Sequence, residues 1–271
     1  MFYAIRFGWV GVRDLRFENI ALDIETLNEK ALENIYDITA ISFGLYPLIK
    51  EEYALLRTAV SFGEGYGPKL IKRKGVRLKR NFKVALSGKH TTNAMLFRIY
   101  YPDARVVYKN FLEIEEAVKS GEVDAGVLIH ESILTFDEGL EVEKELWDIW
   151  QELSGGGLPL PLGGMALRRS IPITRAIEYE EILTRAVEVA HKNRKVLSKM
   201  LLDRGLIRVD AEKLDRYLDL YANDQSITMS DRQLDAIDKL FALGYHHGLY
   251  PEPLEVRDML IPTEYRDYRF A

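Results

Sequence analysis

The chain has 271 residues, 47% of them hydrophobic, enough to bury a substantial core in one large domain or two of ordinary size. A net charge of -5 and a pI near 5.7 argue against a nucleic-acid or anionic-membrane footprint, which needs clustered excess Lys and Arg. With no cysteine, disulfides and thiolate metal sites are excluded, and no apolar run approaches the roughly 20 residues that span a bilayer.

In chain order, the opening Met-Phe-Tyr-Ala-Ile-Arg-Phe-Gly lacks the charged region, apolar stretch and cleavage site of a secretory signal, so a cytoplasmic protein is expected. Ile20 to Ile24 alternates like a strand, and Thr26 to Glu33 has helical apolar spacing. Asp37 to Ile41 reads as a short strand, Ser42 to about Tyr53 as a helix with Pro47 near its first turn, and Tyr53 to Val60 as a strand. The turn-rich Phe62-Gly-Glu-Gly-Tyr-Gly-Pro68 leads into a basic run, Lys69 to Arg80, read as a solvated linker face. Strands follow at Lys83 to Leu86, Arg105 to Tyr108 and Val123 to Ile129, alternating with helices at Asn93 to Tyr101 and Leu112 to Lys119. Ser154-Gly-Gly-Gly-Leu-Pro-Leu-Pro161 interrupts the pattern, and Leu162 to Leu167 resumes it as a strand. From Tyr179 onward the pattern is helical, with Leu214, Leu218 and Tyr221 on one face and Leu234, Ile237, Leu240 and Phe241 on another.

This alternation predicts an α/β fold with mainly parallel pairing. Two crossings, near residues 69–76 and 160–167, predict an inserted lobe over 77–160. The outer lobe then joins 1–76 to 161–271 across a hinged cleft that suits a small ligand.

Three segments share the order strand, polar turn, helix start: Asp37 to Ser42, Lys83 to Thr92, and the strand ending at His130. Helix N-termini carry unpaired N–H groups and bind anions, and Ser42 and Thr92 read as N-caps beside such a site. Ligands of α/β proteins bind beyond the carboxyl ends of parallel strands, where His130, with an ordinary pKa of about 6.5, suits a general base. The predicted partner is therefore a small molecule carrying a carboxylate or another anionic group, with no nucleic acid and no membrane; oligomeric state is left open. Glu131 could orient the imidazole or pair with an arginine, and His90 and Tyr66 could be structural or line the cleft. His246-His247 and His191 read as helix-end residues, because adjacent helical side chains diverge too far to share a metal.

Six segments carry a resemblance: Asp23-Ile-Glu-Thr-Leu-Asn28, Asp37-Ile-Thr-Ala-Ile-Ser42, Gly65-Tyr-Gly-Pro68, Gly88-Lys-His-Thr-Thr92, Gly121-Glu-Val-Asp-Ala-Gly126 with Ile129-His-Glu-Ser132, and Leu158-Pro-Leu-Pro-Leu-Gly163. In this order they resemble 1,4-dihydroxy-6-naphthoate synthase, an enzyme of the futalosine route to menaquinone, over nearly the whole chain. The resemblance implies a two-lobed, periplasmic-binding-protein-like (type II) fold. It implies a lyase that turns cyclic de-hypoxanthine futalosine into 1,4-dihydroxy-6-naphthoate by proton abstraction and release of the sugar-derived fragment, with no metal or redox cofactor. It also makes His130 the proton acceptor and places Ser42, Thr91 and Thr92 on the substrate. That family usually begins with a strand and a Ser-Pro-Cys-Pro-Asn-Asp-Thr segment ahead of the residues matching Phe2-Tyr3-Ala4. Met1 falls inside that region, which leaves a late start codon or a lost strand and cleft-lining turn as the two accounts. The competing readings are the sister chorismate dehydratase and a non-catalytic solute-binding protein for a small carboxylate.

Overall fold

The computed structural model describes residues 1–204, 211–212, 214 and 224–268. Two sheets organise it. The first is built on β9 (Leu160–Arg168), which lies between β1 (Ile38–Ser42) and β2 (Tyr53–Leu55) and also pairs with β3 (Ser61–Gly63), antiparallel to all three. The second has the order β6 (Arg105–Tyr108), β5 (Lys83–Leu86), β7 (Ala125–Leu128), β4 (Lys69–Arg73), β8 (Leu140–Glu145). Only its β6–β5–β7 part is parallel. β4 runs antiparallel to both β7 and β8. The expectation of mainly parallel pairing is thus corrected. The helices that permit parallel neighbours occur between β5 and β7, whereas the strands that enter and leave each sheet arrive in the opposite sense.

The helices of that parallel unit are α3 (Thr92–Tyr100) and α4 (Ile114–Lys119). The basic run is corrected as well. Lys69–Arg73 is no linker but a strand between two neighbours, with Leu70 and Ile71 fully buried. Its cations are matched across the ladder: Lys72 lies 2.6 Å from Glu143 and 3.5 Å from Glu141. Such pairs hide in a sequence because opposite charges on paired strands are about seventy positions apart.

Three local expectations fail. Ile20 to Ile24 is no strand: Ile20 and Leu22 are exposed, and among the described residues β1 is hydrogen-bonded along β9 alone, so the alternating segment has no ladder to join. Asp23 instead starts α2 (Ile24–Leu32). Ser42 to Tyr53 is not one helix but a single 3₁₀ turn, Tyr46–Leu48, because Pro47 donates no N–H and the Tyr46 hydroxyl donates to the Tyr53 carbonyl at 2.9 Å, turning the chain back. β2 then stops at Leu55, well short of Val60. Beyond these, α5 (Leu146–Ser154) follows β8 directly and buries Leu146, Ile149 and Trp150. Gly155 ends it with φ 88°, a left-handed turn that favours glycine.

One continuous apolar core runs from the first sheet (Ile41, Leu55, Val60, Ala166) through the second (Leu70, Val84, Leu86, Val127). It continues to the helix Asp231–His246, which contributes Leu234, Ile237, Leu240 and Phe241. That helix opens on a capping box in which Ser230 and Gln233 satisfy each other's backbone donors. Leu218 and Tyr221 lie outside the described residues. A satellite cluster packs Ala4 and Val10 on Ile182 and Ala186 of α6 (Ile173–Lys192). There Arg13 and Arg175 both reach Glu178 at 2.7 Å and hold its carboxyl below the usual carboxylate range. No helix among the described residues is long and apolar enough to cross a membrane.

β9 can pass between its neighbours only because it is bare where it meets β1. A Cβ on Gly163 would stand 2.5 Å from the Ile41 carbonyl oxygen, and one on Gly164 would stand 2.9 Å from the Phe43 ring. Gly163→Ala is expected to destabilise the fold by about 1–3 kcal/mol, as overpacking does, measured as a lowered midpoint in urea denaturation.

Candidate active site

A cavity of about 720 Å³ opens between the sheets, within the range of roughly 300–1,000 Å³ usual for ligand sites. All four residues singled out from sequence line it: Ser42, Thr91, Thr92 and His130.

The first-sheet wall is set by α2. The Asp23 carboxylate caps this helix, accepting the N–H groups of Glu25 and Thr26 at 3.1 Å each. One turn on, Asn28 is fully buried, and its side-chain amide clamps Ser42: Oδ1 accepts the Ser42 N–H at 2.9 Å and Nδ2 donates to the Ser42 Oγ at 3.1 Å. Ser42 is therefore the last residue of β1, not a helix N-cap. With Oγ already accepting from Asn28, its hydroxyl hydrogen is what it can offer a ligand oxygen.

The opposite wall starts at α3. Its N-cap is Thr91 rather than Thr92: the Thr91 hydroxyl accepts the Ala94 N–H at 3.1 Å. Thr92 does something the sequence did not show. Its Oγ1 accepts the Gly44 N–H and donates to the Leu162 carbonyl, both at 2.9 Å, joining the second-sheet helix to two strands' ends of the first sheet. Gly44 is held from its other side too, since the Tyr250 hydroxyl donates to its carbonyl at 2.7 Å. Burial pushes that phenol's pKa up, keeping it a donor. With both threonine hydroxyls donating within the protein, α3 presents the cavity with the N–H groups of its first turn, at Thr92 and Asn93, which have no intrahelical acceptor.

β7 is buried over its whole length and ends at Leu128, two residues before His130. The chain then turns sharply, with His130 in the left-handed region at φ 54° and its ring edge-on to Phe111 at 5.3 Å. A non-glycine residue held there costs on the order of 1 kcal/mol, and such outliers gather at functional sites. The side chain of Glu131 lies outside the described part of the structure.

Three other residues that the sequence singled out sit elsewhere. Tyr66 donates to the Phe62 carbonyl at 3.0 Å and does not line the cavity, and the glycine loop folds on itself, with no room for a Cβ at Gly63. His246 stays at the exposed end of its helix with Nδ1 2.6 Å from the Ala242 carbonyl. His90 contacts Glu25 through Nδ1 at 2.8 Å.

Sequence reading missed His191, near the end of α6, as a cavity residue, and Arg194, which opens α7 (Arg194–Asp203). Nothing local marks them, since their position depends on how the C-terminal helices dock. Together with His130 they give the cavity its chargeable side-chain nitrogens, and no carboxylate side chain lines it among the described residues. Ile41, Val60, Ile129, Leu162 and Met165 form apolar surface. The arrangement suits a ligand that combines apolar surface with a negative group. Thr92→Val, nearly isosteric, is expected to lower stability by about 1–3 kcal/mol in thermal or urea unfolding, because it strands the Gly44 N–H.

Residues 1–246 match the family described as menaquinone biosynthesis. The chain is 30% identical to a 1,4-dihydroxy-6-naphthoate synthase of Thermus thermophilus over 267 residues, covering 94% of each. It is 27% identical to the enzyme of that name from Streptomyces coelicolor, over 84% of this chain and 83% of that one. A solved structure of a protein from Archaeoglobus fulgidus superposes with a TM-score of 0.82 at 34% identity, covering 92% of both chains. The alkanesulfonate-binding protein of Xanthomonas axonopodis superposes with a TM-score of 0.63 at 14% identity, covering 86% of this chain and 83% of that one. The fold is thus the α/β architecture of the periplasmic binding proteins.

Proposed function

Because the chain belongs to the menaquinone-biosynthesis family and is an enzyme of it, we propose that it is a lyase converting cyclic de-hypoxanthine futalosine into 1,4-dihydroxy-6-naphthoate, with His130 as general base. The observation that carries this reading is the placement of His130: an imidazole on a left-handed backbone just past a buried strand, in one cavity with the α3 helix start and Ser42.

Each group has a role that follows from its surroundings. The substrate's carboxylate, with Arg194 as its cationic partner and His191 beside it, lies over the apolar floor that shelters the ring system. Ser42 and the first-turn amides of α3 donate to substrate oxygens. Neutral His130 takes a proton from carbon, and the electron pair left behind expels the sugar-derived fragment as the ring system becomes aromatic. Dry, apolar walls strengthen each of these interactions relative to water. The proposed reaction is cytoplasmic and uses no metal or redox cofactor.

His130→Ala is expected to retain substrate binding, measured by calorimetry, while turnover of cyclic de-hypoxanthine futalosine falls by a factor of about 10²–10⁴. Turnover unchanged in the variant would remove His130 from the chemistry. Binding without turnover in the wild-type protein would favour a solute-binding role, and dehydration of chorismate would favour the sister activity. Arg194→Gln is expected to raise KM about tenfold with kcat little changed, as lost uniform binding does.

A further inference from the structure

The second anion cradle of the cleft is already filled, by the protein itself. Glu25, on the first turn of α2, reaches across to the loop before α3 and accepts the N–H of Lys89 at 2.7 Å and that of His90 at 3.1 Å. It also receives a bond from the His90 ring, with Nδ1 at 2.8 Å. A carboxylate only accepts, so Nδ1 must carry the hydrogen. Gly88 is bare for this purpose: a Cβ there would stand 2.3 Å from Glu25 Oε2 and 2.7 Å from its Cβ. The φ of Gly88 is not in the left-handed region, so space for Glu25 and not backbone freedom explains the glycine. Both partners are mostly buried, with side chains 13% and 19% exposed.

The contact joins the two lobes beside the cavity. Asn28, which fixes Ser42, also approaches Glu25 Oε2 at 3.4 Å, and Thr91 follows His90 directly. Glu25 therefore links, through one or two bonds, the elements that carry Ser42 and the α3 helix start.

We propose that Glu25 is a positioning residue: an interlobe clasp that holds Ser42 and the α3 amides at the spacing that grips the substrate. This rests on the proposed reaction for its kinetic consequence but not for its structural one. Without the clasp the gripping arrangement becomes a minority of the population, and apparent affinity falls by the fraction lost.

The cysteine-free chain allows a direct test. Glu29→Cys on α2 and Arg98→Cys on α3, both exposed, carry a spin-label pair whose distance distribution reports the lobe spacing. In that background Glu25→Ala and Gly88→Ala are expected to broaden and lengthen the distribution. Each should raise KM for cyclic de-hypoxanthine futalosine about 10-fold or more while kcat changes less than about 3-fold, with Glu25→Gln between them and wild type. A narrow, unchanged distribution with unchanged KM in the two alanine variants, even with lowered thermal stability, overturns the clasp. Broadened distances in the two alanine variants, with no turnover by the wild-type protein itself, leave the clasp standing and sink the reaction instead.

Discussion

The return strand Leu160–Arg168 is the constraint on which the site depends. It is antiparallel to three strands at once, and it holds the first sheet together. Two of its residues are glycines because the Ile41 carbonyl and the Phe43 ring press against it. Its own Leu162, in the cavity floor, offers one carbonyl to both the Phe43 N–H and the Thr92 hydroxyl. The strand that closes the first sheet thus also anchors the helix start of the second. A shift of one residue would turn every side chain of the strand to the opposite face, so its register and the shape of the cavity floor are one decision.

The runs of residues that carry the family resemblance divide their work. In Asp23-Ile-Glu-Thr-Leu-Asn28, the aspartate caps, the glutamate crosses to the other lobe and the asparagine sets a serine. In Gly88-Lys-His-Thr-Thr92, the first three residues receive that glutamate, the fourth caps α3 and the fifth braces it against Gly44 and Leu162. Most of these groups serve to hold a few others still. That is the expected economy of a site where a small displacement of one reacting group costs much of the rate.

The same architecture serves an alkanesulfonate-binding protein. Fold alone therefore carries no chemistry. This cleft holds an imidazole on a strained backbone after a buried strand, with apolar walls, Arg194 and no lining carboxylate among the described residues.

Much of the site was legible in the residues themselves. The β–α–β–α–β run from Lys83 to Leu128, the helix after Asp23 and the histidine after an apolar strand follow from periodicity, cap chemistry and strand length, which act over a few residues. Strand direction was not legible, nor was the failure of Ile20 to Ile24 to become a strand, because a ladder exists only where a partner lies alongside. Nor could sequence show that Thr92 braces Leu162, 70 positions away, that Glu25 meets His90, 65 away, or that His191 and Arg194 reach the cavity. Those contacts join groups with no local signature of one another, and only the closing of two sheets around one core brings them within hydrogen-bonding distance.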